Sequence, residues 1–308
     1  MRVVVTGGAG FIGANTCRRL LDTPEISGVS VIDDLSSGDK ANLDGLDVEL
    51  HLGSILDTDL LGRALEGSDA VIHLAAVPSV PRSIEDPVRS HEANATGTLN
   101  VLQAAREVGA HVLTASSSSV YGANPTIPKV EDLRCMPMSP YAVSKLAAET
   151  YTLAFGRCYD LPVLPFRFFN VFGPLQAAGH AYAAVVPAFI DAALAGRALT
   201  VFGDGLQTRD FTMVDTVTSV LADAVVRRVT SDEPVNLALG SRTSLLELIT
   251  ELEGQLGTSL DVDHQAPRAG DVRDSQADPT RLRSLFPDIE PVPLATGLSR
   301  TIEWFRTF

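Results

Sequence analysis

A glycine-rich turn near the start of this chain restricts its fold more than any other feature. Arg2 to Thr6 reads Arg-Val-Val-Val-Thr, a short β-branched strand. It runs straight into Gly7-Gly8-Ala9-Gly10-Phe11-Ile12-Gly13, and an apolar helical pattern then continues through Leu20 and Leu21. The spacing is G-x-x-G-x-x-G, not the G-x-G-x-x-G of the common dinucleotide fingerprint, but the physics is the same. Glycines allow the tight turn and let backbone approach a pyrophosphate at a helix N-terminus. A glycine run alone could be only a turn. Strand before and helix after supply the context that phosphate binding needs, so Gly7, Gly10, Phe11, Ile12 and Gly13 are candidate cofactor contacts.

The next strand, Val29 to Asp33, ends on a carboxylate twenty residues past Gly13. Placed there, Asp33 can accept hydrogen bonds from the adenosine ribose hydroxyls and would repel a 2′-phosphate, which favours NAD over NADP. Asp34 reads as an ordinary acidic loop residue. Further along, Ser139-Pro140-Tyr141-Ala142-Val143-Ser144-Lys145 puts a phenol and an ammonium four positions apart, on one face of a helix. A lysine held beside a phenol favours the phenolate, so the pair predicts a Tyr141 pKa below the usual value of about 10. Such a tyrosine can take a proton from an alcohol near neutral pH. Alone, this spacing is more often a solvated helix face; its weight comes from the glycine loop and Asp33.

Together these motifs resemble the extended short-chain dehydrogenase/reductases, and within them the NAD-dependent nucleotide-sugar epimerases of the UDP-glucose 4-epimerase type. The resemblance runs nearly the whole length. Besides the glycine loop and Tyr141 to Lys145, it is carried by His73-Leu74-Ala75-Ala76, Ser116 to Gly122, Arg167-Phe168-Phe169-Asn170 and Arg268-Ala269-Gly270-Asp271. It implies Tyr141, Lys145 and Ser117 as catalytic residues, with Ser118 supporting Ser117 on the substrate side. It adds Ser37, Ser54, Ile55, Leu74, Ala75, Ala76 and Phe168 to the NAD site, and gives Lys145 the nicotinamide ribose. Ser54 stands where the family usually has an acidic residue against adenine. Asn94 matches a structural asparagine beside the active site.

For the substrate, the resemblance implies Asn170, Arg209 and Arg268 on the diphosphate and Asp271 on the nucleotide ribose. Ala184 and Val185 match the backbone that cradles uracil, and Val201 with Phe202 the apolar contact on it. Guanidinium forks suit phosphate oxygens. Surface salt bridges are the bland alternative for each arginine. Relatives that eliminate water carry an Asp-Glu pair after the catalytic hydroxyl, and decarboxylating relatives keep a Glu at the second position; here those positions are Ser118 and Ser119, which points to epimerisation. Leu175 stands where uronate-specific relatives often have arginine, favouring a neutral hexose, with His180 as a competing signal. Ser275 replaces a bulky gate residue, leaving room for a 2-N-acetyl group. Ser116 and Ser119 read as hydroxyls that satisfy loop backbone.

Composition sets the outer bounds. Across 308 residues, 45% hydrophobic content is ample for a core, and a net charge of −14 argues against non-specific nucleic-acid binding. An acidic protein with an anionic substrate must concentrate its arginines locally. No apolar run reaches a membrane span, and the immediate start of the first strand leaves no room for a signal peptide. Three cysteines without metal spacing, Cys17, Cys135 and Cys158, fit a reduced cytoplasm and no metal site.

Up to about Phe169, strands expected at 2–6, 29–33, 48–51, 69–74, 110–115 and 163–168 alternate with helices at 11–22, 57–66, 85–107 and 139–159. Alternation predicts an α/β fold, a doubly wound parallel sheet of Rossmann type with ligand at the carboxyl ends of the strands. Shorter elements follow, at 186–196, 199–203, 214–229, 243–256, 278–285 and 294–306. They predict a smaller α/β substrate lobe over 171–308 after a cofactor domain over 1–170, with segments crossing back to the sheet. A homodimer is expected by resemblance, through a four-helix bundle of the helices near 88–107 and 141–158.

Overall fold

The computed structural model describes residues 1–178, 184–266 and 273–307. Seven strands build the central sheet: β1 (Arg2–Thr6), β2 (Gly28–Asp33), β3 (Val48–Leu52), β4 (Ala70–His73), β5 (His111–Ser117), β6 (Val163–Phe168) and β7 (Val235–Leu237). All neighbours pair in parallel, in the order β3-β2-β1-β4-β5-β6-β7. The direction of winding reverses between β1 and β4, and that switch point opens a crevice at the carboxyl ends of the strands. Six strands match the sequence expectation closely. The seventh is absent from it: Val-Asn-Leu is too short to show a period, and it is held by register with β6, Val235 against Phe166 and Leu237 against Phe168.

Because the sheet is covered on both faces, its inner strands are largely apolar and buried, whereas the edge strand β3, Val-Glu-Leu-His-Leu, is partly exposed. One face packs against the helices Phe11–Leu21 and Val214–Val226, around Val5, Leu20, Val31, Phe166 and Val217. The other packs against Thr58–Leu65, Gly97–Val108 and Pro140–Tyr159, around Leu61, Val71, Leu102 and Val112. Leu20 and Leu102 are fully buried, each a contribution of about 1.5–3 kcal/mol. A third apolar cluster, with Phe172, Ile190, Val201, Leu248 and Ile302, unites the helices Val185–Leu194, Leu245–Leu256 and Leu294–Phe305. Two parallel strand pairs accompany it, 170–172 with 211–213 and 199–202 with 262–265.

The helix expected over 85–107 is instead several pieces. A helix over Val80–Glu85 stops at Asp86, whose carboxylate then caps a second helix, Pro87–His91, by accepting from the Arg89 amide at 3.0 Å. A wider turn over Glu92–Thr96 follows before the regular helix Gly97–Val108. Proline cannot extend the first helix but suits the first turn of the next. The helix Pro140–Tyr159 begins in the same way, with Pro140 in its first turn and the Ser139 hydroxyl accepting from the Ala142 amide at 3.2 Å. That start sets the stripe on which Tyr141, Lys145 and Glu149 stand.

Candidate active site

The glycine loop is packed so tightly that side chains are excluded on every side but one. Gly7 has φ +70°, and a Cβ on it would lie 2.7 Å from the Ala75 nitrogen. A Cβ on Gly13 would lie 2.1 Å from the Gly7 oxygen. At Gly10 the only neighbour is the Gly7 oxygen at 3.2 Å, so the space over this residue is open. Gly10 is also the N-cap of the helix Phe11–Leu21, and no side chain caps the amides of that first turn. An uncapped helix N-terminus beneath an open glycine is what a pyrophosphate requires. Phe11 and Ile12 turn their side chains onto the third apolar cluster, leaving their amides as the groups offered to a ligand.

Asp33 ends β2 and is 8% exposed. Its carboxylate accepts from the Ala9 amide at 2.9 Å and from the Leu35 amide at 2.8 Å, which leaves lone pairs for ribose hydroxyls. Burial pushes its pKa above the ordinary carboxylate value, with the two amides pulling the other way. Ser54 accepts from the Leu56 amide at 3.2 Å. Ile55 is buried, its side chain against Gly97, so only its backbone can meet a cofactor. Phe168 is also buried in the main core, in register with Ser117 of β5. Leu74 is partly buried against that core, while Ala76 and Ser37 line one cavity with Val77 and Pro78.

A chain of hydrogen bonds fixes the Ala75 end of this crevice. The Ala75 amide donates to Thr6 Oγ1 (3.2 Å), and Thr6 Oγ1 pairs with His73 Nδ1 (2.7 Å). On the other side of the ring His73 Nε2 pairs with Thr98 Oγ1 (2.9 Å), which donates to the Asn94 carbonyl (2.6 Å). Because Thr98 gives its proton to Asn94, it accepts from Nε2–H; in the neutral ring Nδ1 then accepts from Thr6. Burial with the nearby Lys145 charge lowers the His73 pKa to about 3, which keeps the ring neutral. Asn94 clamps the chain beyond Ala76: its side chain accepts from the Val77 amide at 2.7 Å and donates to the Ser144 hydroxyl at 3.0 Å.

At the end of β5 the Ser117 hydroxyl stands beside the Tyr141 phenol. Burial raises the phenol pKa above 10, and the polar Ser117 hydroxyl nearby opposes that. This corrects the expectation of a tyrosine lowered by Lys145. The lysine is 5% exposed and its ammonium donates to the Ala115 carbonyl at 2.8 Å, so its hydrogen bond is made to the strand. Burial lowers the lysine itself to about 8. Ser118 opens the short turn after β5, partly buried. Ser119 does not serve the loop backbone with its hydroxyl; it donates to Ser117 Oγ at 2.9 Å. Ser116 donates to Glu149 Oε2 at 2.7 Å, again not to loop backbone.

Glu149 forms a buried ion pair that the sequence reading missed, Arg167 Nη2 to Oε1 at 2.7 Å and Nε to Oε2 at 2.9 Å. Burial acts against the guanidinium charge, but the hydrogen bonds and charge of Glu149 win and raise the Arg167 pKa. Arg167 also stands 4.7 Å over the Tyr121 ring. A signal existed: Tyr141, Lys145 and Glu149 are spaced i, i+4, i+8.

The polar residues expected for a substrate gather elsewhere, around Thr208 to Asp210. Arg209 Nη1 donates to the carbonyls of Thr208 (2.9 Å) and Arg273 (3.2 Å). Asn170 donates from its amide (3.2 Å) and side chain (3.4 Å) to the Asp210 carbonyl. The Ser275 amide donates to the Thr208 carbonyl at 3.1 Å, and its side chain is partly exposed. Two further arginines join them: Arg242 pairs with Asp274 at 3.2 Å, and Arg273 with Asp204 at 3.0 Å. Asp210, fully buried, accepts from the amides of Gly240, Ser241 and Ala277 and from the Ser241 hydroxyl. Val201 is buried in the third cluster, whereas Phe202 is partly exposed. Ala184 is exposed at the N-cap of the helix that Val185 begins. Arg268, Asp271 and His180 lie outside the described residues. Among the described residues no group of His, Cys, Asp and Glu could hold a metal ion, and no helix is long and apolar enough to cross a membrane.

Known proteins place this geometry in context. The model of the NAD dependent epimerase/dehydratase family matches residues 3–238. A UDP-glucose 4-epimerase of Mycolicibacterium smegmatis is 40% identical over 99% of both chains. The solved UDP-N-acetylglucosamine 4-epimerase of Methanobrevibacter ruminantium, in complex with UDP-N-acetylmuramic acid, superimposes with a TM-score of 0.93 at 35% identity, over 99% of this chain and 98% of its own. A UDP-glucuronic acid 4-epimerase of Bacillus cereus, solved with UDP-glucuronic acid and NAD, gives 0.90 at 30% identity, over 100% and 99%. With the glycine cradle, Asp33 and the serine–tyrosine pair at one crevice, and a family match across most of the chain, this protein belongs to the NAD dependent epimerase/dehydratase family.

Proposed function

We propose that the chain is a nucleotide-sugar 4-epimerase whose substrate is a UDP-hexose. The observation that carries this is Ser117 beside Tyr141 at the end of β5, followed by Ser118 and Ser119. Inversion at C4 needs a group that removes and returns one hydroxyl proton. It needs no carboxylic acid to expel water, and serines occupy those positions.

NAD, when bound, would supply a reversible hydride acceptor and a positively charged ring. Gly7, Gly10 and the amides of the first helical turn would hold its diphosphate, and Asp33 its adenosine ribose. Tyr141 takes the proton of the 4-hydroxyl, with Ser117 bridging the phenol and the sugar oxygen. Burial holds the phenol above 10, so positive charge is required to populate the phenolate near neutral pH. The cofactor's ring would supply it, since the Lys145 ammonium is engaged with the Ala115 carbonyl. Once the sugar has turned over, Tyr141 returns the proton to the 4-oxygen.

Asn170, Arg209, Arg268 and Asp271 hold the nucleotide diphosphate and ribose, in a substrate lobe that follows the cofactor domain of residues 1–170. Ala184, Val185 and Phe202 serve the base. A neutral sugar is supported by Leu175, whose side chain packs against the main core and offers a uronate carboxylate no partner. Acceptance of N-acetylhexosamines is supported by Ser275, small and partly exposed. We place the enzyme in the cytoplasm as a homodimer through the helices Gly97–Val108 and Pro140–Tyr159, whose Val108, Val143, Tyr151 and Tyr159 are exposed. Light scattering of the Val143→Glu/Tyr151→Glu protein tests that pairing: it should be a monomer where wild type is a dimer.

The substrate reading is tested by product analysis of the purified protein with UDP-glucose, UDP-N-acetylglucosamine and UDP-glucuronic acid. The first two should be converted to their C4 epimers. A dehydrated or decarboxylated product, or conversion of the uronate alone, would sink it.

A further inference from the structure

A serine hydroxyl has one proton to give and two lone pairs with which to accept. At Ser117 both acceptor positions are taken by a single residue. The Ser119 amide donates to Ser117 Oγ at 3.2 Å, and the Ser119 hydroxyl donates to the same oxygen at 2.9 Å. The amide bond alone is enough to cap the short turn Ser118–Tyr121. The hydroxyl bond is additional, and the chemistry above gives it no task.

The turn that presents Ser119 is clamped. Its Tyr121 is 1% exposed, and the phenol donates to Asn236 Oδ1 at 2.7 Å. The Val120 carbonyl accepts from the Met136 amide at 3.1 Å, and the Gly122 amide donates to the Ser119 carbonyl at 3.1 Å. Gly122 has φ +48°, and a Cβ on it would lie 1.9 Å from the Met136 oxygen, so the turn is pressed against that segment. Ser119 is thus fixed with its hydroxyl on Ser117. Beside Ser117 stands the Tyr141 phenol, buried among groups that raise its pKa.

We propose that Ser119 is a positioning residue that makes Ser117 a donor only, so that the Ser117 proton is turned towards the Tyr141 and sugar oxygens and the proton of the 4-hydroxyl passes straight to Tyr141. A phenolate accepts a hydrogen bond about twice as strongly as a neutral oxygen, so Ser117 gives its proton to Tyr141 and Ser119 is left to donate. A neutral phenol gains less, because Ser117 has no lone pair left to accept its proton. Both effects favour the phenolate. In the forward step the sugar O–H bond breaks as the phenol O–H bond forms. Ser117 keeps its own proton and turns it to the sugar oxygen, which has become a carbonyl. On return the phenol gives its proton back. The part concerning the sugar rests on the 4-epimerase reading; the part concerning the phenol does not.

The test titrates Tyr141 without substrate. The purified protein is labelled at the tyrosine Cζ, and the Tyr141 signal is assigned by its loss in Tyr141→Phe. Its midpoint is followed by NMR in wild type, Ser119→Ala, Ser119→Thr, Ser117→Ala and Ser117→Ala/Ser119→Ala. Ser119→Ala should raise the midpoint by about one pH unit, which is about tenfold less phenolate at a given pH below it. Ser119→Thr, which keeps the hydroxyl, should restore the wild-type midpoint. In the Ser117→Ala background the change at Ser119 should have no effect, because Ser119 acts only through Ser117. Activity on UDP-glucose should follow, with kcat about tenfold lower for Ser119→Ala below the midpoint and KM within about twofold of wild type. A Ser119→Ala midpoint within about 0.3 pH units of wild type, or a shift that persists without Ser117, overturns the proposal. So does a Ser119→Ala enzyme faster than wild type, since freeing a lone pair would then have opened a proton relay through Ser117. If the midpoint shifts as expected but no UDP-hexose is converted, the positioning of Ser117 stands and the 4-epimerase reading falls.

Discussion

Replacing Glu149 by Gln should be the most damaging isosteric change behind the active site. The carboxylate accepts from Arg167 at 2.7 and 2.9 Å and from Ser116 at 2.7 Å, and the two charged side chains are only 3% and 4% exposed. An exposed pair of this geometry would be worth no more than about 1 kcal/mol. Here the amide leaves a guanidinium charge buried without its counter-ion, which costs about 3–5 kcal/mol. Unfolding entropy of roughly 2.1 cal/mol/K per residue gives about 0.65 kcal/mol/K for this chain, so the melting temperature should fall by about 5–8 °C. Scanning calorimetry with retained NAD quantified is the assay. The double variant Glu149→Leu/Arg167→Met removes both charges and should recover much of the loss, because an apolar pair of similar volume often replaces a buried ion pair at little cost. A melting temperature for Glu149→Gln within 1 °C of wild type would refute the reasoning, as would a double variant that loses the sum of its two singles.

Three further outcomes are expected. Tyr141→Phe should lower kcat by at least about 100-fold while bound NAD is retained, measured by product formation and by nucleotide released on denaturation; undiminished turnover would remove Tyr141 from the chemistry. His73 has its pKa lowered from 6.5 to about 3, so the unfolded chain binds a proton that the folded one refuses. Its contribution is intact above pH 6.5 and is lost progressively as the pH falls towards 3, at up to about 1.4 kcal/mol per pH unit; denaturant titrations should show that slope for wild type and less of it for His73→Gln. Ser275→Tyr should depress activity on UDP-N-acetylglucosamine while sparing UDP-glucose, and equal loss of both would dismiss the gate.

What was legible in the sequence was whatever depends on neighbours along the chain. The glycine loop declares its own strand and helix, and the Ser139-Pro140 start announces the helix that carries Tyr141 and Lys145. Three-residue β7 was invisible because it becomes a strand only by pairing with β6, some seventy residues earlier. The break at Asp86-Pro87 was available in principle, since proline rejects a helix interior, but the apolar pattern around it was read as continuous. The direction of a long flexible side chain was not legible either: spacing placed Lys145 on the stripe of Tyr141, yet its ammonium bonds to Ala115 of β5. Arg167 and Glu149 are eighteen residues apart and meet only because β5, β6 and the helix Pro140–Tyr159 pack together.

Isotope tracing tests hydride transfer out and back most directly. UDP-glucose deuterated at C4 is incubated with the purified protein in ordinary water, and the epimeric product is examined by NMR and mass spectrometry. Removal and return of one hydride within a closed site predicts UDP-galactose carrying the deuterium still at C4, with no free reduced nucleotide released. Product whose C4 deuterium has been replaced by solvent hydrogen would contradict it.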